Sequence, residues 1–228
     1  MKSKYFIFGV PVVLLAVIIS AGSVFATPIV QDGDQIQLIG QLSGHSPAGG
    51  AFVLKDLTQN FTFYSYCMEI SEYIQVGGTY YAVVNNGAVN GGIDNHDPNN
   101  IPNFDPLDPK TAYIYSQWVK GNLSGYSQTA VQDAIWYLED EIDDPADGAD
   151  LVKMVNQLNP QGLDSVSVLN LFTTRTWVSD NDTGTGHWVY TGNAQDQLFT
   201  PVPEPSTILL LGLGLAGIGI IARNRTRK

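Results

Sequence analysis

Apolar and polar positions alternate in several segments between Gln35 and Val84. Gln35 to Leu42 places Ile36, Leu38 and Leu42 on one face, and Ala51 to Leu57 is a short segment that opens on four apolar residues. Both predict strands, parted by the turn-rich Ser43–Gly50 region. From Phe61 to Ile70 the period of two is clean. Phe61, Phe63, Ser65, Cys67 and Glu69 share one face, and Thr62, Tyr64, Tyr66, Met68 and Ile70 the other. Thr79 to Val84 predicts a further strand, and Asn85 to Pro109, rich in Asn, Asp, Pro and Gly, a long loop. The period then lengthens. Lys110 to Lys120 and Thr129 to Glu141 predict helices, the second with Val131, Ala134, Ile135 and Leu138 as a buried stripe. Thr129 to Gln132 fits a capping box, with Gln132 reaching back to the cap. A shorter helix, Asp150 to Leu158, is stopped by Pro160. Val166–Phe172, Thr174–Val178, His187–Thr191 and Gln197–Thr200 return to strand pattern. Strands, a helical insertion and strands again predict an α+β domain over residues 27–200, with mainly antiparallel β-sheet.

Two apolar stretches lie outside that domain. Tyr5 to Ile19 follows Lys2 and Lys4 and precedes Val24-Phe25-Ala26. Residues 1–26 therefore predict a signal helix cleaved before Thr27. At the other end Ile208 to Ala222 carries no charge, and Arg223, Arg225, Arg227 and Lys228 follow. At 1.5 Å per residue such a membrane helix is roughly 22 Å long, short against a core of about 30 Å. It spans only with snorkelling flanks or local thinning. The basic tail predicts a cytoplasmic C-terminus, with everything before Pro203 outside.

Pro203-Glu204-Pro205, the Gly-rich apolar span and the basic cluster occur in that order over residues 201–228. This segment resembles the PEP-CTERM sorting signal of exopolysaccharide-producing Gram-negative bacteria. The resemblance implies recognition and tail removal by exosortase, a membrane transpeptidase. It also implies a precursor held transiently in the inner membrane, then a place at the cell surface or in the extracellular matrix.

Charge sharpens the picture of the exported part. Residues 27–202 hold 21 of the chain's 22 acids against Lys55, Lys110, Lys120, Lys153 and Arg175, a formal net charge of −16. Such a surface repels nucleic acid and anionic lipid. Cys67 is the single cysteine, so no internal disulfide forms.

Three places around Cys67 carry a second resemblance. Tyr66-Cys67-Met68 lies on an early strand, Gln132-Asp133-Ala134-Ile135-Trp136 on a middle helix, and Gln195-Asp196-Gln197-Leu198 on the last strand. Together they resemble the thioester domains of bacterial surface proteins. There, a Cys thiol and a late Gln carboxamide condense with loss of ammonia, and the helical motif supports the site. The resemblance implies Cys67 as nucleophile, Gln195 or else Gln197 as its partner, and Gln132 and Trp136 as support. Val131 stands where that motif usually has Thr. An internal thioester is an acyl donor that waits for an amine or hydroxyl on a surface or matrix molecule. Adhesion or cross-linking follows from it; without the bond, the same domain reads as a structural or sugar-binding component of an exopolysaccharide or biofilm matrix.

Other signals carry less. Gly212-x-Gly214-x-x-Gly217 sits in an apolar span with no preceding strand, so it predicts no dinucleotide site. Asp94, Asp97, Asn99, Asn100, Asp105 and Asp108, and the acids from Glu139 to Asp150, read as solvated loops. Pro145 and a missing closing Glu rule out an EF-hand there. His45, His96 and His187 share no ligand spacing, and neither hydrolase motifs nor cofactor motifs stand out. The sequence predicts a non-enzymatic protein without metal or cofactor.

Overall fold

The computed structural model describes residues 29–43, 49–89, 103–180 and 185–201. The signal segment, most of the sorting segment, His45, His96 and the Asp94–Asn100 acids lie outside the described residues. Among the described residues, no helix is long and apolar enough to cross a membrane.

Six strands form one antiparallel sheet: β1 (Gln35–Gln41), β2 (Phe52–Asp56), β3 (Phe61–Ser65), β4 (Thr79–Asn85), β7 (Ser167–Ser179) and β8 (Gly186–Phe199). Their spatial order is β3-β2-β1-β4-β7-β8. A two-stranded ribbon, β5 (Gly87–Val89) with β6 (Phe104–Pro106), occupies the ends of the expected Asn85–Pro109 loop. Helices α1 (Pro109–Val119), α2 (Gln128–Leu138) and α3 (Ala149–Leu158) follow it. The α+β, mainly antiparallel reading with a helical insertion matches this architecture.

The sheet closes on itself. Beyond β3 the chain meets β8 at one isolated bridge, Cys67 with Gln197. Met68 N–H donates to the Asp196 carbonyl and Leu198 N–H to the Tyr66 carbonyl, each at 3.0 Å, and the Ser65 hydroxyl donates to the Leu198 carbonyl at 2.7 Å. The expected Phe61–Ile70 strand is thus two pieces with two partners, β2 first and β8 afterwards. Closure makes two cores from one alternation. Ile36, Leu38, Leu54, Phe63, Cys67, Leu169, Leu171 and Phe199 fill the barrel. Tyr66, Met68, Val168 and Leu198 face outward and pack under Ile114, Val131, Ala134, Ile135 and Leu151 of the helices. That is why every residue from Ser65 to Glu69 is buried.

Local chemistry sets the helix ends. Asp108 caps α1 by accepting from Lys110 N–H at 2.6 Å, with Pro109 in the first turn. Ser127 caps α2, accepting from Ala130 N–H at 3.0 Å. The capping box expected at Thr129–Gln132 is not formed, because the helix starts two residues earlier. Gln132 then lies a full turn inside and is free to point elsewhere. Asn159, in the left-handed region at φ 47°, ends α3 ahead of Pro160. The four strands expected from residue 166 onward are two long ones. Polar positions near Thr173 and Gly192 look like breaks, yet beyond Phe172 this hairpin leaves the barrel as a two-stranded arm with both faces in solvent.

Candidate functional site

The seam that closes the barrel is where the Cys67 motifs meet. The hydrogen bonds of the bridge run between the neighbours of Cys67 and Gln197, so these two are a non-hydrogen-bonded pair. In such pairs the α-carbons stand about 4.5 Å apart and the side chains are at their closest. Cys67 and Gln197 are both fully buried, with the Gln197 carboxamide and the Gly50 N–H within hydrogen-bonding reach of the thiol. Burial pushes the Cys67 thiol up, so it is protonated at neutral pH.

A non-hydrogen-bonded position turns its own N–H and C=O away from the partner strand, here toward the place where β2 would continue. β2 has ended at Phe52, opposite Ser65. Gln132 fills the gap from α2. Its Oε1 accepts from Gly50 N–H at 3.1 Å and from Cys67 N–H at 3.2 Å, and its Nε2 donates to the Cys67 carbonyl at 2.9 Å. One side chain stands in for a strand, leaving no orphan on the Cys67 backbone. Trp136, one turn further on the same helix face, is buried with Cys67 in the barrel core. Close approach needs Gly49, where a β-carbon would fall 2.6 Å from the Trp136 ring and 3.0 Å from Gln132 Cγ. Gly49-Gly50 belongs to the site and was missed; its only sequence signal is a Gly pair in a turn.

The two candidate glutamines have different neighbours. Gln195 donates from Nε2 to the Glu69 carbonyl at 3.0 Å, and its Oε1 accepts from Gln197 Nε2 at 3.5 Å. Gln197 lies directly across from Cys67, and its buried Oε1 has no hydrogen-bond partner. The Cys67 sulfur therefore faces the Gln197 carboxamide, while the Gln195 amide is held one step along the seam. Condensation would join sulfur to the carbonyl carbon, and the thiol proton would leave with the amide nitrogen as ammonia.

Beside this pair several acids are buried, contrary to the solvated loops expected for Asp105, Glu139 and Glu141. Glu69, Asp105, Glu139, Glu141 and Asp196 are all nearly inaccessible. They tie segments together: Glu141 accepts from Ile70 N–H at 3.0 Å, Asp196 from Val89 N–H at 3.1 Å, and Glu139 from Asp108 N–H at 3.2 Å. Desolvation, then repulsion from Glu141, Glu72 and Asp105, pushes Glu69 up to about 9. Desolvation raises Asp196 and Glu139 well above the usual carboxylate range as well. Among the described residues, no three His, Cys, Asp or Glu side chains are placed to hold a metal ion. His187 is exposed at the start of β8.

The aromatics divide. Tyr80 is core, whereas Trp177 and Trp188 are half exposed on the β7–β8 arm, edge to face at 5.2 Å. Arg175 stacks between Trp188 and Tyr81 and donates to the Gly33 carbonyl, anchoring the arm's base.

Comparison with known proteins adds one match. The PEP-CTERM protein-sorting motif covers residues 201–228, including Pro203, Glu204 and Pro205. It marks the chain as an exported protein that exosortase sorts from a membrane-anchored precursor. No curated protein and no solved structure matches the chain.

Proposed function

We propose that this exosortase-sorted protein displays a thioester domain, in which Cys67 and Gln197 condense into an acyl donor for covalent adhesion or cross-linking. The observation that carries the reading is the seam itself. The lone cysteine and a glutamine are closest cross-strand neighbours, and Gln132 secures the cysteine backbone from the other side. Phe63, Trp136 and Phe199 supply dry walls that would slow hydrolysis. An amine or hydroxyl of a surface or matrix molecule would take the acyl group and release the Cys67 thiol. Each domain would react once, so it is consumed rather than turning over as an enzyme does.

Intact mass tests this directly. The folded domain should weigh about 17 Da less than its sequence, the mass of one ammonia. Cys67→Ala and Gln197→Ala should each restore the sequence mass expected of that variant, and Gln195→Ala should keep the deficit. A free thiol beside an intact Gln197 in the wild type would overturn the reading. A Gln197 converted to Glu, about 1 Da heavier, would instead report a bond formed and hydrolysed.

A second reading is the inert matrix component. Complete burial favours it: Cys67 and Gln197 are each 0 % exposed, so no outside nucleophile reaches them unless the seam opens. The same mass measurement separates the two.

A further inference from the structure

The chain leaves the folded domain beside an aromatic groove. β3 is an outer strand of the sheet order, and a half-open cavity of about 560 Å³ lies between it and α1. Thr62, Phe63, Tyr64, Tyr115, Trp118 and Thr200 are among the residues that line it. Trp118 is the centre of the patch. The rings of Tyr64 and Tyr66 meet it edge-on at 6.3 and 4.7 Å, and Tyr115 stacks against it at 6.3 Å. The Tyr115 hydroxyl fixes this arrangement by donating to the Tyr64 carbonyl at 2.7 Å. Even so, the Tyr64 side chain stays 49 % exposed. No described residue that lines the groove is charged, although the domain as a whole is rich in acid. Lys120, between the wall residues Val119 and Gly121, is exposed. Indole and phenol rings flanked by a lysine, with no acid among them, suit the boundary between lipid and water.

Chain length says what covers the groove. β8 ends at Phe199, and Thr200, where the chain exits, is a wall of the groove. The sorting motif starts at residue 201 and belongs to a membrane-anchored precursor. The uncharged stretch that can anchor it begins at Ile208, seven residues past Pro201. Seven residues reach at most about 25 Å even when fully extended. The exit, and the groove with it, therefore stays within that distance of the bilayer. The other exposed aromatic pair, Trp177 and Trp188, lies elsewhere. Trp188 is separated from Phe199 by roughly 35 Å of β8, so the arm is remote from the anchor.

We infer that in the membrane-anchored precursor the Tyr64–Trp118 groove rests on the lipid surface, with its rings at headgroup depth and the β7–β8 arm directed away. The occupant is a bilayer of zwitterionic lipid, since the acidic domain repels an anionic one. The contact orients the domain while exosortase works, and removal of the tail cuts the tether that sustains it. The inference rests on the sorting motif and not on the thioester, so a domain found at full sequence mass leaves it standing.

Quenching of tryptophan emission by brominated phosphatidylcholine tests it, on the full chain anchored in vesicles of that lipid. Trp177→Phe with Trp188→Phe leaves Trp118 in the groove and Trp136 in the barrel core. Bromines near the headgroup end of the acyl chains should roughly halve the Trp118 emission, as for an indole at the interface. Trp136, buried at 3 % exposure, should keep its emission. Adding Trp118→Phe should abolish the quenching. Tyr64→Glu, at an exposed position, should weaken it while circular dichroism stays that of the parent. Absence of quenching in the chain that keeps Trp118 and Trp136 would overturn the inference, because the groove then faces water or protein. Quenching that survives Trp118→Phe, or that Tyr64→Glu leaves unchanged, would overturn it as well.

Discussion

Gln132 shows how much one side chain can decide. It makes three buried hydrogen bonds that the sheet cannot make at the point where β2 ends and Cys67 needs partners. Gln132→Leu keeps the shape and leaves two N–H groups and a carbonyl unpaired. Each orphan costs about 1–3 kcal/mol, so denaturant unfolding should show a loss of several kcal/mol. Gln132→Glu should not rescue it, because a carboxylate cannot donate to the Cys67 carbonyl and would carry a buried charge. Gly49→Ala acts on the same contact from the other side. Its β-carbon meets the Trp136 ring at 2.6 Å, and overpacking of that kind costs about 1–3 kcal/mol.

Among the elements, α2 and the acid-rich seam respond to different perturbations. Ile135 lies at the centre of the α2 stripe and is fully buried against the outer face of the barrel. Ile135→Asp should abolish folding or lower stability by several kcal/mol, read by circular dichroism on heating. The seam acids predict a pH slope of unusual sign. Glu69 titrates near about 9 when folded against 4.5 as its ordinary value, so between those values the folded chain holds a proton the unfolded chain has released. This stabilisation is complete below about pH 4.5 and is lost as pH rises through 9. Asp196 and Glu139 act in the same direction. The melting temperature should fall from mildly acid to mildly alkaline pH, and Glu69→Gln should flatten the slope. One such group contributes at most about 1.4 kcal/mol per pH unit.

For the whole molecule, sorting is the property with consequences in the cell. Residues 201–228 hold the motif, and the domain ahead of it is closed by a seam only a few residues upstream. Glu204→Ala should accumulate full-length precursor in the inner membrane of a host with active exosortase, measured by immunoblot of membrane and surface fractions. Recovery of surface protein that lacks residues 223–228 at the wild-type rate would contradict this.

Period and punctuation made a good part of this protein readable. The alternation from Phe61 to Glu69 assigned faces that the barrel respects, and the Val131–Leu138 stripe found the helix that covers it. Cys67, Gln132 and Trp136 were singled out only through the resemblance to thioester domains, and the fold brings the three together. What the chain could not state is which residue meets which. Gln195 and Gln197 lie two apart on one strand, so any face-based reading treats them alike, and only the closing register of β3 against β8 sets Gln197 opposite Cys67. The buried acids were hidden for the same reason. Asp105, Glu139 and Glu141 lie in segments that read as solvated loops, until the fold buries them near Glu69 and Asp196 of the seam. Local sequence determines the face of a strand and the stripe of a helix. The pairing across a seam is non-local, and the folded chain decides it by satisfying every buried backbone group at once.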